Sequence, residues 1–76
     1  MKISVSNISA LASIEHLKNL FSEFGFVKSI FFLDRLHHQC LVTMDETIDG
    51  ENAIKYLDRS IFIGQSISVS KVRLIK

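Results

Sequence analysis

Two stretches of this chain carry apolar residues at helical spacing, and each is flanked on both sides by a stretch that alternates with a period of two. That order restricts the fold more than any single motif does. In KISVSNI, Ile3 and Val5 fall on one face and Lys2, Ser4 and Ser6 on the other, as in a strand with one dry side. Ser13 stands as an N-cap with Glu15 in the first turn. Ile14, Leu17, Leu20, Phe21 and Phe24 form one apolar helical stripe, which Gly25 is expected to close as a left-handed C-cap residue. VKSIFFLD is β-branched and aromatic and reads as a strand, but its consecutive apolar residues leave the parity ambiguous. The expected assignment turns Ile30 and Phe32 toward the helices and Ser29, Phe31 and Leu33 away; a one-residue shift exposes Phe32 instead. Asp34 to His37 form a short hairpin connection. QCLVTM returns with Cys40, Val42 and Met44 inward and Gln39, Leu41 and Thr43 outward.

DETIDGENAIKYL supplies the second helix, with acidic first turns and an apolar face of Ile48, Ala53, Ile54 and Leu57. Gly50 inside it costs roughly 1 kcal/mol relative to Ala, a cost that close packing on the sheet would offset. IGQSISVSKV is the last strand, with Gly64 at its entry turn, Ile67 and Val69 inward, and Ser66, Ser68 and Ser70 outward. Strands are thus expected at about 2–7, 27–33, 39–44 and 65–71, and helices at about 14–24 and 46–57. The order is βαββαβ. Two right-handed crossovers interleave such elements into an α+β, ferredoxin-like sandwich: a four-stranded antiparallel sheet with two helices on one face and the other face open.

At 76 residues the chain is expected to be one domain over residues 1–76. It starts and stops close to its first and last expected elements, as a module cut from something longer would. A domain this small buries only about 60% of its unfolded surface. An apolar fraction of 47%, with six Phe and no Pro, makes it globular rather than disordered. One Cys excludes an internal disulfide framework and fits a reducing compartment. No apolar run is long enough for a membrane span and no secretion signal opens the chain, so the expectation is an intracellular protein.

The net charge of +1 does not by itself point to nucleic acid. The distribution says more. Glu15, Glu23, Asp45, Glu46, Asp49, Glu51 and Asp58 fall in or beside the expected helices, whereas Lys2, Lys28, Lys71, Arg73 and Lys76 fall in or beside strands and the C-terminal tail. Helices on one side of the sheet give an acidic back and a mildly basic front.

His37, His38 and Cys40 are close enough in sequence to raise a metal site. Zinc takes four ligands, and His16 is the only other His or Cys, so Cys40 reads as a small core residue and no metal or other cofactor is expected. The Ser, His and Asp residues are scattered, with no nucleophile elbow, glycine-rich phosphate loop or convergent carboxylate pair. No enzymatic activity is expected.

The order and spacing of these segments resemble the RNA recognition motif family over nearly the whole chain. ISVSNI at residues 3–8 stands where that family has its first-strand hexamer, and HHQCLVTM at residues 37–44 where it has its third-strand octamer. HLKNLFSEFGFVKSI between them places Leu17, Leu20, Phe21, Phe24, Gly25, Val27 and Ile30 at positions that the family keeps apolar or Gly. Ala53, Ile54 and Leu57 match its second helix, and Gly64, Ile67 and Val69 its fourth strand. The resemblance implies base stacking on aromatic rings of the first and third strands, with hydrogen bonds to base edges and ribose. Here Ser4, Gln39 and Leu41 stand at those ring positions. Each lost stack is worth ~1–3 kcal/mol per base. The octamer is similar to those of polypyrimidine-tract-binding proteins, which also carry polar and aliphatic residues there, end in Met and read short pyrimidine tracts.

The function so implied is recognition of short single-stranded RNA, pyrimidine-rich by the octamer, through the open sheet face and the C-terminal tail. Binding is expected to be weak, so that tandem domains or a protein partner add avidity. Phe31 either stacks a base beside Leu41 or packs under the tail. Ser4, Ser6, Ser29, Ser68 and Ser70, with Gln39, either read base edges or simply face water. Lys2, Lys71 and Arg73 either pair with phosphates or only solubilise the surface. Leu33 and Leu41 lie where VRLI at residues 72–75 would cross the sheet, if the tail takes that path. The other reading is a protein-interaction module of the same fold, using the sheet or helix face and self-associating through its apolar residues. Nuclear and cytoplasmic locations both remain open, and no membrane partner is expected.

Overall fold

The computed structural model describes residues 1–72. The elements are β1 (Lys2–Ser6), α1 (Ile14–Ser22), β2 (Val27–Phe32), β3 (Cys40–Met44), α2 (Thr47–Leu57), β4 (Ile61–Phe62), β5 (Gln65–Ser66) and β6 (Ser68–Lys71). Four strands form one antiparallel sheet in the order β2-β3-β1-β6. Ile3 lies opposite Val42, and Val5 opposite both Cys40 and Val69, so one face of the sheet is a continuous apolar surface. Leu17 and Phe21 of α1 and Ala53 and Leu57 of α2 close over it in a single core. Fully burying a side chain such as Phe21, Ile3 or Leu17 is worth about 1.5–3 kcal/mol. The result is the ferredoxin-like sandwich, with no helix among the described residues on the opposite sheet face.

The ambiguous strand β2 has a physical explanation. A register irregularity between Val27 and Ser29 inserts Lys28, so that Val27 opposes Met44 while Ser29 opposes Thr43. Val27 and Ile30, three apart, can then both face the helices. Strict alternation from Val27 would instead bury Ser29 and Phe31. Ile30 and Phe32 pack against the core, and Phe31 is 49% and Leu33 51% exposed.

Helix α1 begins in a reciprocal cap. The Ser13 hydroxyl accepts from the His16 backbone N–H at 3.2 Å, and the Ser13 backbone N–H donates to His16 Nδ1 at 3.0 Å. Its end corrects the sequence reading. The C-cap is Glu23, in right-handed helical conformation, and Gly25 does not adopt a positive φ. Gly25 is small for a different reason: a Cβ there would collide with the Asp49 side chain of α2. Gly50 is buried, and a Cβ would overlap the Met1 side chain, so the helix approaches the start of β1 closely. Ile48 is a second correction. It is 67% exposed, because the inward side of α2 is made by Gly50, Ala53 and Leu57, with Ile54 half-buried.

The expected strand at 65–71 is two elements. Ile63 (φ 49°) and Gly64 (φ 82°) are the two central residues of a hairpin joining β4 to β5, the positive-φ pair that a type I′ turn needs. A β-branched residue in that region is strained, and Ile63 is held there by packing on the core. Asn7 fastens the hairpin to the end of β1: its Nδ2 donates to Ser66 O at 2.8 Å, and Gln65 Nε2 donates to Asn7 O at 2.9 Å. Ser66 therefore leaves the open face, and its hydroxyl donates to Arg59 O. The connection after α2 also occupies the outer edge of β6. Arg59 N–H donates to Ile67 O, Ile67 N–H to Ser60 O, and Val69 N–H to Asp58 Oδ1 at 2.9 Å.

Candidate nucleic-acid interface

The strand registers arrange the open face in rows. The central row runs from Phe31 on β2 to Leu41 on β3, Ser4 on β1 and Ser70 on β6. Directly opposed residues of this kind lie about 5 Å apart at Cβ, close enough for one base to span two of them. One step along, Ser6 pairs with Ser68, and Leu33 N–H donates to Gln39 O at 2.8 Å, so Leu33, Gln39, Ser6 and Ser68 form the next row. On the other side, Ser29 opposes Thr43 and Thr43 opposes Lys2, with Val72 N–H donating to Lys2 O. The sheet thus brings together Lys2, Ser4, Ser6, Ser29, Phe31, Leu33, Gln39, Leu41, Ser68 and Ser70. Thr43, outward on β3 by the alternation, is a further member to which the sequence reading gave no binding role.

Lys71 is placed differently from the rest. It lies opposite Ile3, a core residue, so its side chain starts from the helix side of the sheet. It returns to the neighbourhood of Lys2 at the sheet margin, where both line a shallow cavity of about 300 Å³ with Met1, Thr43, Thr47 and Val72. Two lysines therefore line this margin, one starting from each side of the sheet. Arg73, and the course of the tail over Leu33 and Leu41, lie outside the described residues.

Chemically the face is ring-poor. Phe31 is the one aromatic residue on the open side of the four described strands, and Leu41 beside it is half-buried. Around this apolar pair are hydroxyls and one carboxamide, which can donate and accept.

The hairpin at one end of the face is fixed by Asp34, whose Oδ1 accepts from the backbone N–H groups of His38 (2.9 Å) and Gln39 (3.2 Å). This holds Gln39 at the start of β3. His37, at φ 60°, stacks on Phe32 with centroids 4.2 Å apart and planes 11° from parallel. Its ring is thus turned to the helix side, away from the candidate surface. Cys40 is fully buried beneath the sheet, and loss of solvation pushes its thiol up to about 12. His37, His38 and Cys40, adjacent in sequence, do not converge. Among the described residues no three His, Cys, Asp or Glu side chains are grouped as metal ligands.

Charge separates by layer. Every carboxylate of the eight except Asp34 lies in or beside α1 and α2. Among the described residues the open face carries none. No helix of the described residues is long and apolar enough to cross a membrane.

Comparison with known proteins agrees with this architecture. The chain superposes on the RRM domain of S. pombe Puf1 with a TM-score of 0.85 at 21% identity, covering 99% of this chain and 100% of that one. It superposes on the third RRM of Pes4 with a TM-score of 0.90 at 26% identity (99% and 94% covered). For the third RRM of Mip6 the score is 0.88 at 27% identity (95% and 92% covered). No curated protein sequence matches the chain significantly. The sequence model of the RNA recognition motif matches residues 3–68, nearly the whole described fold. The chain belongs to the RNA recognition motif family, a family of RNA-binding modules.

Proposed function

We propose that the open face binds short single-stranded RNA weakly, with one stacked base at Phe31 and a neighbouring base lying over Leu41. The observation that carries this reading is the placement of Phe31 and Leu41 side by side in the central row, flanked by Ser29, Ser4 and Ser70. A ring and an aliphatic side chain provide a short apolar shelf. The hydroxyls and Gln39 provide partners for base edges. Small polar side chains leave room for pyrimidines to approach the backbone, which favours the pyrimidine preference that the octamer implies. Lys2 and Lys71 supply phosphate contacts at one end, and Arg73, which lies outside the described residues, is expected to add to them.

Two or three phosphate contacts give a shallow salt dependence, about −0.7 per contact in log affinity against log salt for a single strand. The test is a fluorescence-anisotropy titration at low salt with labelled uridine-, cytidine-, adenosine- and guanosine-rich oligonucleotides, with amide-shift mapping alongside. The reading expects pyrimidine oligonucleotides to bind most tightly, with shifts at Ser4, Phe31 and Leu41. Phe31→Ala weakens them by about 1–3 kcal/mol. An unchanged affinity in a folded Phe31→Ala protein, or shifts confined to α1 and α2, would overturn it.

A further inference from the structure

The side of the molecule turned away from the open face carries a second surface that the RNA reading does not use. Phe24, just past α1, stacks on Tyr56 of α2 with ring centroids 6.1 Å apart and planes 21° from parallel. Tyr56 is nevertheless 65% exposed, so this contact covers only part of the ring. Ile48, Asn52 and Tyr56 follow at i, i+4 and i+8 and share one stripe of α2. Ile48 is as exposed as Tyr56, although helical spacing alone had suggested a core position. Asp49 packs against Gly25, which draws the end of α1 onto the first turns of α2 and places Phe24 beside the stripe. Two large apolar side chains left in water on one helix, beside the Phe24–Tyr56 ring stack, give this face a small apolar patch.

The charges around it select the kind of partner. Glu23 borders Phe24, and Asp45, Glu46, Asp49 and Glu51 all lie within three residues of Ile48 in the chain. The basic groups on these elements are Lys18 on α1, Lys55, whose Nζ lies 5.7 Å from the Tyr56 ring centroid, and Arg59 after α2. Carboxylates outnumber them, most of all at the Ile48 end. RNA is repelled from such a surface, and a second copy meeting it with the same surface would set like charges against each other. We infer that the α2 stripe of Ile48, Asn52 and Tyr56, with Phe24, docks a basic peptide segment of another protein that carries one aromatic or branched apolar anchor. The anchor sits on the Phe24–Tyr56 rings. Its Lys or Arg residues face Asp45, Glu46, Asp49 and Glu51. This inference stands apart from the RNA reading, because the two surfaces lie on opposite sides of the sheet.

The test titrates the ¹⁵N-labelled chain with a synthetic peptide of about a dozen residues, rich in Lys and Arg around a single Trp. A second peptide has every basic residue replaced by Glu. The basic peptide is expected to shift the amides of Phe24, Ile48, Asn52 and Tyr56, with affinity that falls as salt rises; the acidic one is expected to leave them unmoved. Both substituted side chains are exposed, so Tyr56→Ala and Ile48→Glu variants fold. Tyr56→Ala weakens the peptide at least about five-fold while uridine-rich RNA binding is unchanged. Four results overturn the inference: equal response to the acidic peptide, shifts that map to the open face, no response up to about 1 mM peptide, or unaltered affinity in Tyr56→Ala. Shifts of Ile48 and Tyr56 on dilution of the protein alone also overturn it, by assigning the stripe to a second copy.

Discussion

Replacing Leu41 with Phe asks whether the missing ring is what limits RNA affinity. Leu41 sits between Phe31 and Ser4 in the central row, at a position where the resemblance to the family implies a stacking ring. It is half-buried, so a Phe there keeps part of its contact with the sheet and offers the remainder of its face to a base. No core atom has to move, and the expected change in stability is within about 0.5 kcal/mol. One added stack is worth ~1–3 kcal/mol, which at 1.36 kcal/mol per decade is about five- to 150-fold in affinity. Anisotropy titrations with a labelled uridine-rich oligonucleotide at fixed low salt read this directly, and thermal melts establish that the variant is folded. Phe31→Ala in both backgrounds completes a double-mutant cycle. The rings at 31 and 41 would be in contact, so their contributions should not add. If folded Leu41→Phe binds no tighter while Phe31 is intact, bases do not lie along this row, and the path assigned to RNA is wrong.

Burial of Cys40 gives a pH signature. Its thiol is raised from 9.0 to about 12 in the folded chain, so the unfolded chain loses its proton first as the pH rises. This contribution is complete below pH 9 and lost on the way to pH 12, at about 1.4 kcal/mol per pH unit. Denaturant melts of the parent chain across that window should show a steeper alkaline decline than those of Cys40→Ala. Asp58→Ala removes the carboxylate from the Val69 N–H, costing roughly 1–2 kcal/mol, and should speed hydrogen exchange at Val69 more than at Val5. An unchanged exchange rate would show that this N–H is protected by other means. Gly25→Ala should destabilise by about 1–3 kcal/mol through its collision with Asp49, and adding Asp49→Ala should recover most of that loss. A single variant as stable as the parent would refute the close approach.

The fold was legible because the inward residues of β1, β3 and β6 obey period two without interruption and α1 has a clear stripe. What was not legible depended on contacts between distant segments. Gly25 sits where a helix-closing glycine would, and only the proximity of Asp49 reveals its other reason. Ile48 keeps helical spacing with the apolar face of α2, but the helix is rotated to seat Gly50 against Met1, which turns Ile48 outward. The separate β4–β5 hairpin needed a β-branched Ile63 at positive φ, against its local preference, and the packing that enforces this is tertiary. A local signal for that turn was present in Gly64. On the candidate site, alternation placed the serines, Gln39 and Leu41 on one face, while the bulge at Lys28 decided which β2 residues joined them. Lys71 starts from the helix side, as alternation from Val69 implies and its register with Ile3 agrees.

The two rims of the sheet are closed by unlike devices: on β6 by the Asp58 carboxylate and the backbone that follows it, on β2 by a bulge carrying a lysine. Several such modules strung on one polypeptide could therefore crowd together without their sheets zipping end to end.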